Sequence, residues 1–138
     1  MLILPKDFRC LIIGSSNCGK TYLLFNLLKK ECFKKTDDFY LFSKSLHQDI
    51  YKKLQENEYK NSDKELINCV FEDQKVHEPD LLDNSKRNLV VFDDVLGERN
   101  LAKPIEKYFT RGRHNNINTF YISQSYFDLN RHSIRNNK

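Results

Sequence analysis

A chain of 138 residues has the length of one compact domain, enough to bury a single core but not two. Its 30% charged residues suit a small soluble domain, and no apolar run approaches the roughly 18 residues that a membrane-spanning helix needs. The opening Met1 to Lys6 also lacks the basic and apolar stretches of a secretory signal, so the expected location is the cytoplasm or nucleus. The net charge of +4 is unevenly placed: residues 95–138 hold 8 Lys/Arg against 3 Asp/Glu, while residues 1–94 hold 15 against 16. A basic final third suits a polyanionic partner, or simply a solvated face.

Phe8 to Ile13 is a short apolar run ended by a glycine, the pattern of a strand buried on both faces of a parallel sheet. Lys20 to Lys30 follows with apolar residues at Tyr22, Leu23, Phe25, Leu27 and Leu28 and cations in the last turn, which predicts a helix. Phe39 to Phe42 is a second strand. Gln48 to Glu56 has the spacing of a surface helix with Ile50, Tyr51 and Leu54 as its apolar side. Leu66 to Phe71 suits a strand or a short helix, and periodicity does not separate the two. Residues 78–86 form a connection with room for one helical turn.

Asn88 to Phe92 is another strand and ends in Asp93 and Asp94. Pro104 to Arg111 predicts a helix, with proline near its first turn and Gly112 just past its end. Asn118 to Ser123 is a further strand, and Asp128 to Arg135 suits a terminal helix. Strands alternating with helices make an α/β layered domain with a mainly parallel sheet, expected to be one domain over residues 1–138. Cys10, Cys18, Cys32 and Cys69 match neither a zinc pair nor a disulfide framework and are expected to be structural or incidental thiols.

Gly14-Ser15-Ser16-Asn17-Cys18-Gly19-Lys20-Thr21 fits the G-x-x-x-x-G-K-[ST] phosphate loop without a mismatch, between a strand and a helix as the pattern requires. The glycines let successive backbone N–H groups turn inward onto phosphate oxygens, and the helix adds the positive end of its dipole. Lys20 is placed to reach the β- and γ-phosphates, and the Thr21 hydroxyl to ligate Mg²⁺. Tyr22, the next helical residue, is included among the nucleotide-binding positions. This predicts a P-loop nucleoside-triphosphate-binding domain.

Leu89-Val90-Val91-Phe92-Asp93-Asp94 is an apolar strand ending in acid, which sets carboxylates at the sheet edge where the phosphate loop lies. Asp93 is read as the Mg²⁺ ligand through water. Asp94 is read as the residue that orients or deprotonates the attacking water, with Glu98 as runner-up. In ATPases of the additional-strand class, one strand lies between the phosphate-loop strand and the acidic strand. Gln124, straight after Ile122-Ser123, would be the polar sensor at that strand's end, an amide able to donate to phosphate and accept from water. Arg111-Gly112-Arg113-His114 suits a surface patch or an arginine finger offered to a neighbouring subunit's nucleotide.

The order GSSNCGKT, VVFDDV and FTRGRHNNINTFYISQSYFDLNRHSIRNN resembles the viral genome-packaging ATPases of the FtsK–HerA superfamily. The poxvirus-type branch, found in large DNA viruses and virus-like self-synthesising transposons, matches best in its RGRH and SQSYF segments and IR-N tail. The resemblance implies DNA-stimulated hydrolysis of ATP (rather than another nucleotide) with Mg²⁺, by a ring, commonly a hexamer, that moves double-stranded DNA into a capsid. Capsid or portal proteins are implied partners, no membrane is, and the location implied is host cytoplasm or nucleus, or the virion. It assigns Lys20 and Thr21 the phosphate and metal roles, Asp93 and Asp94 the acidic roles, Gln124 the sensor role, and Arg111 or Arg113 the trans-acting role. Such domains usually continue beyond the IR-N segment into another strand and helix, so a C-terminal edge strand is expected to be missing here. A truncated ATP-binding module without motor activity is one alternative, and a small nucleotide kinase built on the same loop is another.

Overall fold

The computed structural model describes residues 8–13, 19–73, 75–93, 105–108 and 116–123. Five strands, β1 (Arg9–Ile13), β2 (Asp38–Ser43), β3 (Asn68–Glu72), β4 (Asn88–Asp93) and β5 (Ile117–Ser123), form one sheet in the order β1-β5-β4-β2-β3. Every strand pairing in it is parallel, so the expected mainly parallel sheet is parallel throughout the described residues. From β1 the chain crosses over β5 and β4 to reach β2, and later returns to fill the gap. The predicted intervening strand is β5, lying between the phosphate-loop strand and the acidic strand.

Two helices precede and follow β2: α1 (Lys20–Leu27) and α2 (Asp49–Glu56). The first continues through a π-helical turn, Leu28–Cys32, and a 3-10 turn, Phe33–Lys35, five residues beyond the predicted end at Lys30. Thr36 stops it, its hydroxyl donating to the Cys32 carbonyl at 2.7 Å. Residues 105–108 are helical, within the helix expected from Pro104 to Arg111. The undecided segment after Leu66 is strand β3, set by pairing with β2 alone. One 3-10 turn, Pro79–Leu81, lies in the connection expected to hold it. The expected terminal helix from Asp128 to Arg135 falls outside the described residues.

Period-two alternation divides the sheet's side chains between two apolar layers. On one face, Phe39, Leu41, Leu89, Val91, Phe120 and Ile122 pack with Leu24, Leu28 and Phe33 and with Ile50, Tyr51 and Leu54 of α2. On the other, Phe42, Val90, Phe92 and Tyr121 pack with Val76, Leu82, Ile105 and Tyr108. Phe42, Phe92 and Tyr121 stack across β2, β4 and β5 with centroids 5.5 and 5.4 Å apart. Tyr108 stands edge-on to Phe92 at 5.0 Å and donates its hydroxyl to the His77 carbonyl at 2.6 Å. Burial on both faces is why β4 reads as an unbroken apolar run in sequence.

The face of α1 differs from expectation. Leu24 and Leu28 are its buried residues, whereas Tyr22 is 69% and Leu23 51% exposed. Tyr22 to Phe25, Leu27 and Leu28 make the helix apolar nearly all round, so spacing alone does not choose the face; contact with the sheet does. At the opposite end of the strands, Asp37 ties the start of β2 to that of β4. Its carboxylate accepts from Arg87 Nε at 3.0 Å, Nη2 at 2.9 Å and the Arg87 backbone N–H at 2.9 Å. This fork holds the Asp37 carboxyl down to about 2. Among the described cysteines, Cys32 is buried, and that burial pushes its thiol up to about 12, in keeping with a structural thiol.

Candidate nucleotide-binding site

Parallel pairing brings the C-terminal ends of β1, β5 and β4 to one edge of the sheet. Ile13, the last residue of β1, is in register with Ser123 at the end of β5. Asp93, the last residue of β4, is in register with Ile122 on one side and Ser43 on the other. In an open α/β sheet the ligand crevice lies outside these carboxyl ends, where the strand order reverses. The strands that precede Gly14, Asp94 and Gln124 in the chain all end there.

Of the phosphate loop expected from the sequence, Gly14, Ser15, Ser16, Asn17 and Cys18 lie outside the described residues, as do Asp94, Gln124, Arg111 and Arg113. Gly19, Lys20, Thr21, Tyr22 and Asp93 are described. Gly19 caps α1 with φ 89° and ψ 12°, a left-handed conformation that a side chain disfavours. A Cβ there would meet nothing within 4 Å, so backbone conformation rather than space demands glycine. The Gly19 carbonyl accepts the Leu23 N–H at 3.0 Å and starts the helix.

Helix α1 has no side-chain cap at its N-terminus and no acidic residue in its first turn. Its positive end is therefore not neutralised from within the helix, which is the arrangement that favours an anion there. Lys20 and Thr21, in that first turn, are half-buried, and Tyr22 is exposed.

Asp93 is buried. By strand alternation it continues the row of Leu89 and Val91, so it faces the layer that holds α1 and α2. There the Tyr51 hydroxyl of α2 donates to Asp93 Oδ2. Nothing local in the sequence announces this contact, because the two residues are 42 apart. The one signal is that Tyr51 falls on the apolar side of α2, and a buried phenol ordinarily finds a polar partner. Beside Asp93, the Ser43 hydroxyl accepts the Ser45 N–H at 2.9 Å and turns the chain from β2 toward α2.

Residues 2–136 match the family described as poxvirus A32 protein. The chain belongs to the poxvirus A32 family. This is the poxvirus-type group of packaging ATPases that the motif order resembles. A solved structure, the genome packaging NTPase B204 from Sulfolobus turreted icosahedral virus 2 in complex with sulfate, is similar to this A32 family member with a TM-score of 0.57. The match covers 95% of this chain and 72% of that one at 15% identity, a likeness of fold. None of the curated proteins matches the chain. Among the described residues of this family member no helix is long and apolar enough to cross a membrane, and no three His, Cys, Asp or Glu side chains cluster as a metal cage.

Proposed function

We propose that this A32 family member is an ATP-hydrolysing motor that drives double-stranded DNA into a capsid. The observation that carries the reading is the placement of Asp93 at the carboxyl edge of the sheet, with one strand, β5, between its strand and the one that leads into the phosphate loop. A single buried carboxylate and a half-buried threonine fit Mg²⁺. That ion is usually held by one or two protein groups plus substrate phosphates and water, rather than by a full protein cage.

In this reading the backbone of residues 14–19 cradles the phosphates, Lys20 binds the β- and γ-phosphates, and Thr21 and Asp93 hold Mg²⁺. When bound, the ion neutralises charge that develops on the phosphate oxygens. Asp94 orients the attacking water and accepts its proton. Gln124 senses the γ-phosphate, and Arg113, or its neighbour Arg111, reaches the nucleotide of an adjacent subunit in a ring, with six subunits the expected number. The basic residues 95–138 supply the DNA or subunit face, with binding that weakens steeply as salt rises. Capsid or portal proteins are the further partners, and host cytoplasm, nucleus or virion the place of action.

Displacement of a third strand from a triplex on linear duplex DNA tests the motor directly. The expected result is ATP-dependent displacement that Lys20→Ala abolishes. Hydrolysis without displacement would reduce the protein to an ATPase that binds DNA, and phosphate transfer to a nucleoside acceptor would make it a kinase.

A further inference from the structure

The contact between Tyr51 and Asp93 joins a segment without a motif to the acidic strand. Helix α2 lies in the connection between β2 and β3, and its buried residues are Ile50, Tyr51 and Leu54. Ile50 and Leu54 pack into the apolar layer beneath the sheet, as the period of an amphipathic helix requires. Tyr51 does the same with its ring and is fully buried, yet it delivers its hydroxyl to a carboxylate at the strand end.

The path to this contact is short and fixed. Asp93 and Ser43 are neighbours in register on β4 and β2. From Ser43 the chain turns on the Ser45 N–H bond to its hydroxyl. The Ser45 carbonyl then accepts the Gln48 N–H at 3.0 Å, and α2 begins at Asp49. Packing of the helix and the turn that leads into it together set where the phenol lies. A hydrogen bond from a buried donor to a carboxylate is among the stronger kinds. Bonds of this sort orient metal-binding carboxylates, and losing them typically costs 10–100-fold in metal affinity or activity.

We propose that Tyr51 is the positioning residue for Asp93: its hydroxyl holds Oδ2 and fixes the orientation in which the carboxylate would meet Mg²⁺ or its water. The inference rests on the reading of Asp93 as the metal-holding acid. It makes the β2–β3 connection part of the nucleotide site, because a shift of α2 moves the carboxylate that the metal depends on.

The test uses the full chain and Mg²⁺ as the probe. The rise in melting temperature given by a fixed ATP concentration is followed as Mg²⁺ is added. Tyr51→Phe is expected to keep the protection given by ATP without Mg²⁺ and to raise the Mg²⁺ concentration for half-effect roughly 10-fold. Asp93→Asn should raise it as well, and the double variant should be no worse than Asp93→Asn alone, since the hydroxyl acts through that carboxylate. Tyr108→Phe, which removes another buried tyrosine hydroxyl, should lower the melting temperature and leave the Mg²⁺ dependence unchanged. Placing 4-aminophenylalanine at position 51 keeps the ring and a donor, and should restore the wild-type midpoint even if Tyr51→Phe folds poorly. A wild-type midpoint in Tyr51→Phe beside a shifted Asp93→Asn overturns the proposal. Additive losses in the double variant, or no rescue by the amino analogue, do so too. An unshifted Asp93→Asn overturns the metal role of Asp93 first, and the role of Tyr51 with it.

Discussion

Ile13 and Asp93 end two strands of the same parallel sheet with only β5 between them, Ile13 paired with Ser123 and Asp93 with Ile122. These pairings place the ends of the strands bearing the phosphate loop, the Gln124 segment and the acidic pair at one edge. No two of those segments are close in sequence. The insertion of β5 brings these strand ends together, and it requires the chain to leave β1, build β2, β3 and β4, and come back.

Gly19 gives the first prediction. Its φ of 89° costs an L-residue roughly 1–2 kcal/mol, while the space around it is open. Gly19→Ala should therefore lower stability by about that amount and weaken ATP binding, because the cap also orients the first turn of α1. Gly19→Asn should lose less, since Asn enters the left-handed region more readily. Thermal melting with and without ATP distinguishes the two; equal losses would point to a steric cause instead.

Binding and hydrolysis should separate between Lys20 and Asp94. Lys20→Ala is expected to lose tight ATP binding. Asp94→Asn should retain it and lose turnover by about 10²–10⁴-fold, the range for removal of a general base. Phosphate release and an ATP titration check both, and a fully active Asp94→Asn protein would move the base elsewhere, to Glu98 first.

A trans-acting arginine has a signature in mixed assemblies. When Arg113→Ala subunits are blended with wild type, activity should fall faster than the mutant fraction, because each altered subunit also silences its neighbour's nucleotide. Turnover measured across mixing ratios gives the curve, and a straight line would mean that Arg113 acts on its own nucleotide or on none.

The acid limb of stability should depend on Asp37. Its carboxyl ionises at about 2 in the folded chain, against 3.8 ordinarily, first because of the Arg87 side-chain hydrogen bonds. A lowered folded value means that the contribution is fully present above about pH 4 and lost as pH falls through about 2. Arg87→Ala should remove that dependence and lower stability near neutral pH by about 1–2 kcal/mol, the pair being partly exposed. Arg87→Lys keeps the charge without the planar fork and should recover only part. Acid titrations followed by circular dichroism test the order.

Legibility in the sequence followed what each element depends on. β4 could be read because a strand buried on both faces is a continuous apolar run, as in Leu89 to Phe92. β1 was legible as a strand, but it lies at the sheet's edge with only Ile12 buried and is not the doubly buried strand its apolar run suggested. The proposed phosphate loop is a reading of the sequence, its chemistry being local to eight consecutive residues, of which Gly19 to Thr21 are described. The buried face of α1 could not, since leucines and aromatics surround the helix and only the sheet selects Leu24 and Leu28. β3 stayed undecided because its half-buried residues depend on a partner strand to hold them extended. Tyr51 was visible as the apolar side of a helix but not as a partner of Asp93, a contact that exists only once β2 and β4 are side by side.

The central claim, that this site hydrolyses ATP in the service of DNA movement, is tested most directly by the initial rate of ATP turnover as linear double-stranded DNA is added at low salt. The account predicts a rate that rises with DNA to saturation, declines as salt is raised, and vanishes in Lys20→Ala. A rate that ignores DNA at every salt concentration, or no turnover by a folded chain that binds ATP, would contradict it.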